Sequence, residues 1–318
     1  MSGMQVWVRA ASIPVTLLTA SVLVFTATES LPGDVARTVL GREASDESVR
    51  QLHQSMGLDQ PLATRYLHWL YGFVRGDWGT SYTLHVPVRE LLLERLGNSL
   101  LLAAFTLLLL IPVALLLGLT AGLHHDRPLD RLISTVTLAL GAIPEFVTGV
   151  ILLVVFAVQL RWLPASAQAD TGAGLLIRLQ HLALPAVSLV ALCTGYIARH
   201  VRASTVSAVE SPYAQAASVR GASQWQVVRR HVLRNASVPA MSAIGVQAQF
   251  LLGGLVAVEM LFTYPGVGAL LLQAAISKDL PTLQATAVVL GLLYIVIMQV
   301  VDIAYRLLDP RLRSPAAS

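Results

Sequence analysis

Pro144-Glu145 is the pair with the clearest chemical potential in this sequence, a carboxylate next to a proline in the middle of an apolar stretch. Pro144 leaves the carbonyl of Leu140 without its helical donor and is expected to kink the helix that holds it. Counted from the basic end of that stretch at ~1.5 Å per residue, Glu145 lies roughly 20 Å in, near the centre of a bilayer. A carboxylate left facing lipid there costs about 3 kcal/mol or more, so it is expected to face the inside of a helix bundle or a water-filled path. Two readings stand: Glu145 lines a pathway and meets a cationic group of a substrate, or it is a protonated or hydrogen-bonded structural glutamate at the kink. Gln247 and Gln249 are further polar positions in an apolar stretch. Residues two apart do not share a helix face, so at most one of them faces a pathway. Glu259, ~30 Å along the same stretch, is expected close to the outer surface, at a helix end followed by a turn at Tyr264-Pro265-Gly266.

Other chemistries lack their machinery. A phosphate-binding loop needs G-x-x-x-x-G-K-[ST], whereas the only lysine, Lys278, is followed by Asp279 and preceded by no such glycines. The motifs H-E-x-x-H and G-x-S-x-G are both absent, which leaves hydrolysis without support. His124-His125, with Asp126 and Asp130 nearby, read as solvated polar residues rather than metal ligands. His53, His68 and His85 have no ligand spacing. Cys193 is the only cysteine and sits in an apolar run, which makes it a core hydrophobe and rules out an internal disulfide.

The elements that must position these residues are membrane helices. The chain is 55% hydrophobic and 13% charged, against about 25% charged in a soluble domain, and its mean hydropathy is +0.67. The net charge of +4 does not point to nucleic acid, because the basic residues are scattered between apolar runs. Six segments approach the roughly 20 apolar residues a bilayer demands: Val6 to Ala27, Ser99 to Leu123, Leu132 to Leu160, Leu182 to Ala198, Val238 to Phe262 and Ala285 to Leu308. The first is read as a retained span, since no cleavage site follows Ala27. The expected fold is all-α: a polytopic membrane protein with a helix at 1–27, a long outer loop at 28–97, a five-helix core at 98–310 and a tail at 311–318. Within the loop Trp69, Tyr71, Phe73, Trp78 and Tyr82 are concentrated, and they are expected to be buried against something. Twelve arginines fall in one alternating set of segments and three basic residues in the short segments of the other. By the positive-inside rule both termini and the segment 199–237 face the cytoplasm.

That segment carries local signals for two short helices joined at a corner, from Ser211 to Pro239. Ser211 can cap a helix whose first position is Pro212. Gly221 follows where a left-handed terminator is expected, and Ser223 with Gln226 makes a capping box for a second helix. On that helix Trp225, Val228 and Val232 share a face opposite Arg230 and Arg234. Ala214, Ala216 and Ala217 offer almost no side chain, so another protein could approach the first helix closely.

Gln215-Ala216-Ala217, three residues, then Gly221, followed by His231-Val232-Leu233, resembles the E-A-A-x-x-x-G loop of ABC importer permeases. Gln215 stands where that family often has Glu, and Arg234 where it often has Pro. Arg230 to Asn235 with Pro239, and Leu31-Pro32-Gly33-Asp34, Gly57 to Pro61, Arg65-Tyr66, Trp69 and Gly76 to Tyr82, are similar to the dipeptide, oligopeptide and nickel branch. The resemblance implies a permease of the bacterial inner membrane, itself no enzyme and without cofactor. It implies that Tyr213, Ala214, Gln215, Ala216, Ala217, Arg220 and Gly221 dock into an ATPase subunit. Its partners would be a second homologous permease, two ATPases holding ATP and magnesium, and an extracytoplasmic binding protein. Small peptides are the expected substrates, with nickel or a metal chelate as the alternative. From the residues alone, a self-sufficient secondary transporter coupled through Glu145 and a membrane scaffold with no pathway remain open.

Overall fold

The computed structural model describes residues 3–30, 37, 40, 44–55, 57, 59–170, 172–220, 223, 226 and 233–308, excluding the side chains of 3–13, 52, 55, 213, 217, 218, 233–239, 252, 302 and 304–308. The described residues form helices, with a single isolated bridge between Thr80 and Pro87. They fall into two compact units, each discontinuous in sequence: residues 1–99 with 265–295, and 100–264 with 296–318.

The first unit holds α1 (Gly3–Glu29), α2 (Asp46–Ser55), α3 (Leu62–Arg75), the start of α4 (Val88–Leu123), α11 (Val267–Ser277) and the start of α12 (Leu280–Leu308). Acidic Asp46 and Glu47 open α2 against the positive end of its dipole. α3 ends at Gly76, whose left-handed backbone (φ 85°) lets the N–H of Asp77 reach the carbonyl of Gly72 at 2.9 Å. α11 ends the same way on Lys278 (φ 53°), with Asp279 N–H on Ala274. Phe25, Tyr66, Trp69, Phe73 and Trp78 form a continuous run of ring contacts, with Phe73 stacked on Trp78 at 5.3 Å. Phe73 and Trp78 also pack on Val88, Leu92, Leu270 and Val289. Tyr71 departs from the expectation: it is exposed, with the Arg75 guanidinium 4.1 Å over its ring.

The second unit is built around α8 (Ala183–Val209). With it lie the rest of α4, then α5 (Pro128–Ala142), α6 (Glu145–Leu152), a π-helical segment (Leu153–Gln159), α7 (Leu175–His181), α9 (Pro212–Val219) and α10 (Leu233–Leu261). Leu189, Cys193, Ile197 and Val201 of α8 are in its core with Leu102, Leu110, Leu251 and Phe262. Close approach is possible because glycines face α8. A Cβ on Gly118 or Gly122 of α4 would stand 2.6 Å from Val201 or 2.5 Å from Thr205, and one on Gly195 of α8 would stand 2.3 Å from the Thr137 carbonyl oxygen of α5. Small residues four apart are how membrane helices bring their backbones together.

By length and composition, three helices among the described residues can cross a membrane: α4, α8 and residues 280–301 of α12. The number becomes five if each of two bent pairs is one span. One pair is residues 240–251 and 253–261 of α10, bent by 50° at the adjacent glycines Gly253-Gly254. The other corrects the expectation of a kink at Pro144. The chain breaks there, turning by 102° between α5 and the segment that starts at Glu145. Ile143 (φ −89°, ψ 128°) and Pro144 (φ −56°, ψ 142°) are both extended. The proline ring disfavours helical backbone in the residue before it, so α5 stops and a new helix starts.

Candidate functional site

Two places in the second unit gather the residues singled out in the sequence. The first is a cavity of about 590 Å³ whose lining includes Glu145, Gln247, Thr137, Gly141, Tyr196 and Arg199. Glu145 reaches it because the break at Pro144 makes it the first residue of α6. Gly254 leaves room beside it, since a Cβ there would stand 3.8 Å from the Glu145 carboxyl carbon. Among the described residues no side chain or backbone donor is hydrogen-bonded to the Glu145 carboxylate. Gln247 is 6% exposed and donates to the Cys193 carbonyl at 3.3 Å. Gln249 does not line the cavity; its amide turns to the Met298 sulfur. The separation of the two glutamines follows from their spacing, as expected. Arg199 at the rim bonds back to the Gly195 carbonyl.

The second place is α9. Pro212 is its first residue, as expected, but Ser211 does not cap it: the hydroxyl donates backwards to the Ala208 carbonyl at 2.6 Å. The Ser211 carbonyl instead accepts from Ala214 and Gln215. Ala214 is 2% exposed and so faces its own chain, which corrects the expectation that it is open to a partner. Gln215, Ala216, Val219 and Arg220 are exposed, Val219 to 89%. The capping box forms reciprocally, Ser223 N–H to Gln226 at 2.9 Å and Gln226 N–H to Ser223 at 3.3 Å. Gly221, Trp225, Val228, Arg230, His231 and Val232, and the side chains of Tyr213, Ala217 and Arg234, lie outside the described residues.

Three features were missed from sequence. Asp130 is nearly inaccessible and takes both ends of the Arg202 guanidinium at 2.5 and 2.6 Å. His125, Asp126 and Asp130 do bring potential ligand atoms within 4.8 Å of one another, yet a cation would have to displace Arg202. His124 instead turns to the Thr120 carbonyl. Glu259 stands at the end of α10, where the turn follows as expected with the Tyr264 N–H on its carbonyl at 2.8 Å; what the sequence did not show is its full burial, residues 166 and 167 folding over that end with Ala167 N–H on the Phe262 carbonyl at 2.8 Å. In the first unit, Asp279 gathers the Ser81 to Thr83 segment. It accepts from the Ser81 hydroxyl at 2.5 Å, the Tyr82 N–H at 3.1 Å and the Thr83 hydroxyl at 3.1 Å. Burial, then the negative charges of Asp279 and Glu29, push the Tyr82 hydroxyl above its ordinary pKa. Tyr82 lines a second cavity of about 480 Å³ with the Glu29–Arg65 ion pair (2.5 Å), His68 and Gln284.

Asp279→Ala removes the shared acceptor of Ser81, Tyr82 and Thr83. A hydrogen bond to a charged group contributes about 1.5–3 kcal/mol, so the Tyr82 amide should exchange about 10- to 100-fold faster. Exchange at the wild-type rate, read by hydrogen–deuterium exchange, would refute the clamp.

Residues 114–314 match the family described as binding-protein-dependent transport system inner membrane component, and residues 4–103 match the N-terminal family of the same membrane components. A protein of Sinorhizobium fredii, called a probable peptide ABC transporter permease, is 32% identical over 98% of this chain and 99% of its own length. The glutathione transport system permease protein of Escherichia coli K12 is 36% identical over 94% of this chain and 95% of its own.

Proposed function

The chain belongs to the family of binding-protein-dependent transport system inner membrane components, and on that premise we propose that it forms half of the translocation pathway for small peptides in an ATP-driven importer. As a member of that family it is a multi-pass inner membrane protein, a non-catalytic component without a cofactor of its own. The proposed reading has six spans, α1 included, with both termini and α9 in the cytoplasm, as the twelve-to-three distribution of basic residues favours. A second homologous permease completes the pathway, two ATPases bind beneath, and an external binding protein delivers the substrate. Peptides are favoured because one of the two relatives is called a peptide permease and the other a permease for glutathione, itself a tripeptide.

The observation that carries the pathway assignment is the carboxylate of Glu145, without a hydrogen-bond partner among the described residues, in a cavity shared with Gln247. An ionisable group inside a membrane bundle is expensive and marks substrate paths. It fits the ammonium end of a peptide. ATP binding draws the ATPases together and displaces α9, and the spans above it tilt to open the cavity outward. The test is uptake into proteoliposomes holding the whole transporter. Glu145→Gln should lower uptake of peptides with a free amino terminus about tenfold, the loss of one charge-assisted hydrogen bond. Unchanged uptake of every peptide tested would make Glu145 a structural residue of the Pro144 break.

A further inference from the structure

α8 connects the two places described above. Near its middle Gly195, Tyr196 and Arg199 form part of the cavity lining. It ends at Val209, and α9 begins at Pro212. Two turns before that end, Arg202 grips Asp130 in the first turn of α5, Nε to Oδ1 at 2.5 Å and Nη2 to Oδ2 at 2.6 Å. This two-point geometry fixes orientation as well as distance. The Asp130 side chain is 3% exposed, so the pair is not a loose surface contact. Asp130 also accepts from the Asp126 N–H at 3.1 Å and the Ser134 hydroxyl at 3.3 Å. His125 lies against both partners, 3.1 Å from Arg202 and 3.5 Å from Asp130.

The same two helices are locked a second time. Gly195 and Thr137 meet so closely that no Cβ fits between them. Asp130 and Thr137 are seven residues apart, ~10 Å along α5. One attachment would let α5 slide or swivel against α8; two at that separation make the pair a rigid lever. The lever ends at the extended residues Ile143 and Pro144, and the next residue is Glu145. Pro144 has no N–H with which to tie α6 back into α5. Movement of α8 therefore reaches Glu145 through α5 and a joint.

We propose that the Arg202–Asp130 pair carries displacement of α9 into α5, so that the ATPase-facing helix sets the position of Glu145 in the cavity. Arg202 and Asp130 are positioning residues in this account, which rests on the reading of α9 as the ATPase contact.

The experiment compares peptide taken up per ATP hydrolysed, in proteoliposomes holding the complete transporter, for Arg202→Gln, Asp130→Asn and Arg202→Lys. A merely structural pair would lower the yield of complex without changing that ratio. The linkage predicts assembled complexes that still hydrolyse ATP, with the ratio reduced about tenfold in Arg202→Gln, inside the range of ordinary coupling between sites. Arg202→Lys keeps the charge and loses the fork, so it should give an intermediate ratio. It also serves as the test if the neutral variants fail to assemble. A wild-type ratio in the assembled Arg202→Gln complex, or in Arg202→Lys where that is the only one to assemble, overturns the proposal. Failure of the α9 reading is told apart by Ala216→Trp: wild-type uptake there defeats the α9 contact itself, whereas loss of uptake there with an unchanged ratio in the Arg202 variants defeats only the linkage.

Discussion

Ala216→Trp is expected to lower ATP-driven uptake about 5- to 150-fold, the effect of overpacking a contact by about 1–3 kcal/mol, while the chain still inserts and folds. The two sides of α9 explain why this position is chosen. Ala214 is buried against the chain itself, so a bulky residue there would damage the fold and reveal nothing about a partner. Ala216 lies on the exposed side with Gln215, Val219 and Arg220. These four residues form the open side of α9 that the proposed ATPase contact would use. An indole at Ala216 holds that partner off the backbone. The result to read is uptake together with the hydrolysis it stimulates in the ATPases; equal values for variant and wild type would remove α9 from the interface.

The largest effect on stability is expected at Gly195. Its Cβ would stand 2.3 Å from the Thr137 carbonyl oxygen, a backbone atom that cannot rotate away. Even Gly195→Ala therefore forces α5 and α8 apart, and Gly195→Leu should prevent assembly. Overpacking of this kind costs about 1–3 kcal/mol and occasionally more, and a separation of α5 from α8 also opens the lining shared by Thr137, Gly195 and Tyr196. Gly97→Ala is the control, because its Cβ meets nothing within 4 Å. In detergent, Gly195→Ala should melt several degrees lower than wild type, by the ordinary relation of about 1 kcal/mol to a few degrees in a domain of this size, and Gly97→Ala should not. Equal melting of all three would mean the close approach of α5 and α8 is not maintained.

The long helices were legible because hydropathy over twenty residues is a strong signal: α4 and α12 contain the apolar segments assigned to them, and α8 and α10 contain theirs to within one residue. α9 and the capping box that follows it were legible too, since Pro212, Ser223 and Gln226 act through their immediate neighbours. The break at Pro144 was read only as a kink. Proline alone does not decide between the two; the extended Ile143 and the start of α6 do. The burial of Asp130 and the role of Asp279 left no signal in the sequence, because each depends on a partner far along the chain, Arg202 in one case and the Ser81 to Thr83 segment in the other. Spacing within a helix carries no trace of such pairs. Gly118 and Gly122 could have been found, as small residues four apart in an apolar helix. Glu145 and Gln247 were legible as candidates, because polar side chains are conspicuous in apolar sequence, but their shared cavity follows from the fold.

On the proposed function, this chain transports only as part of an ATP-driven assembly. Purifying it from its native membrane in mild detergent and identifying what accompanies it tests that most directly. The account predicts a second permease and ATPase subunits, with the ATPases lost from Ala216→Trp. Recovery of the chain alone, with ion-driven uptake after reconstitution, would contradict it and make Glu145 the coupling group of a self-sufficient transporter.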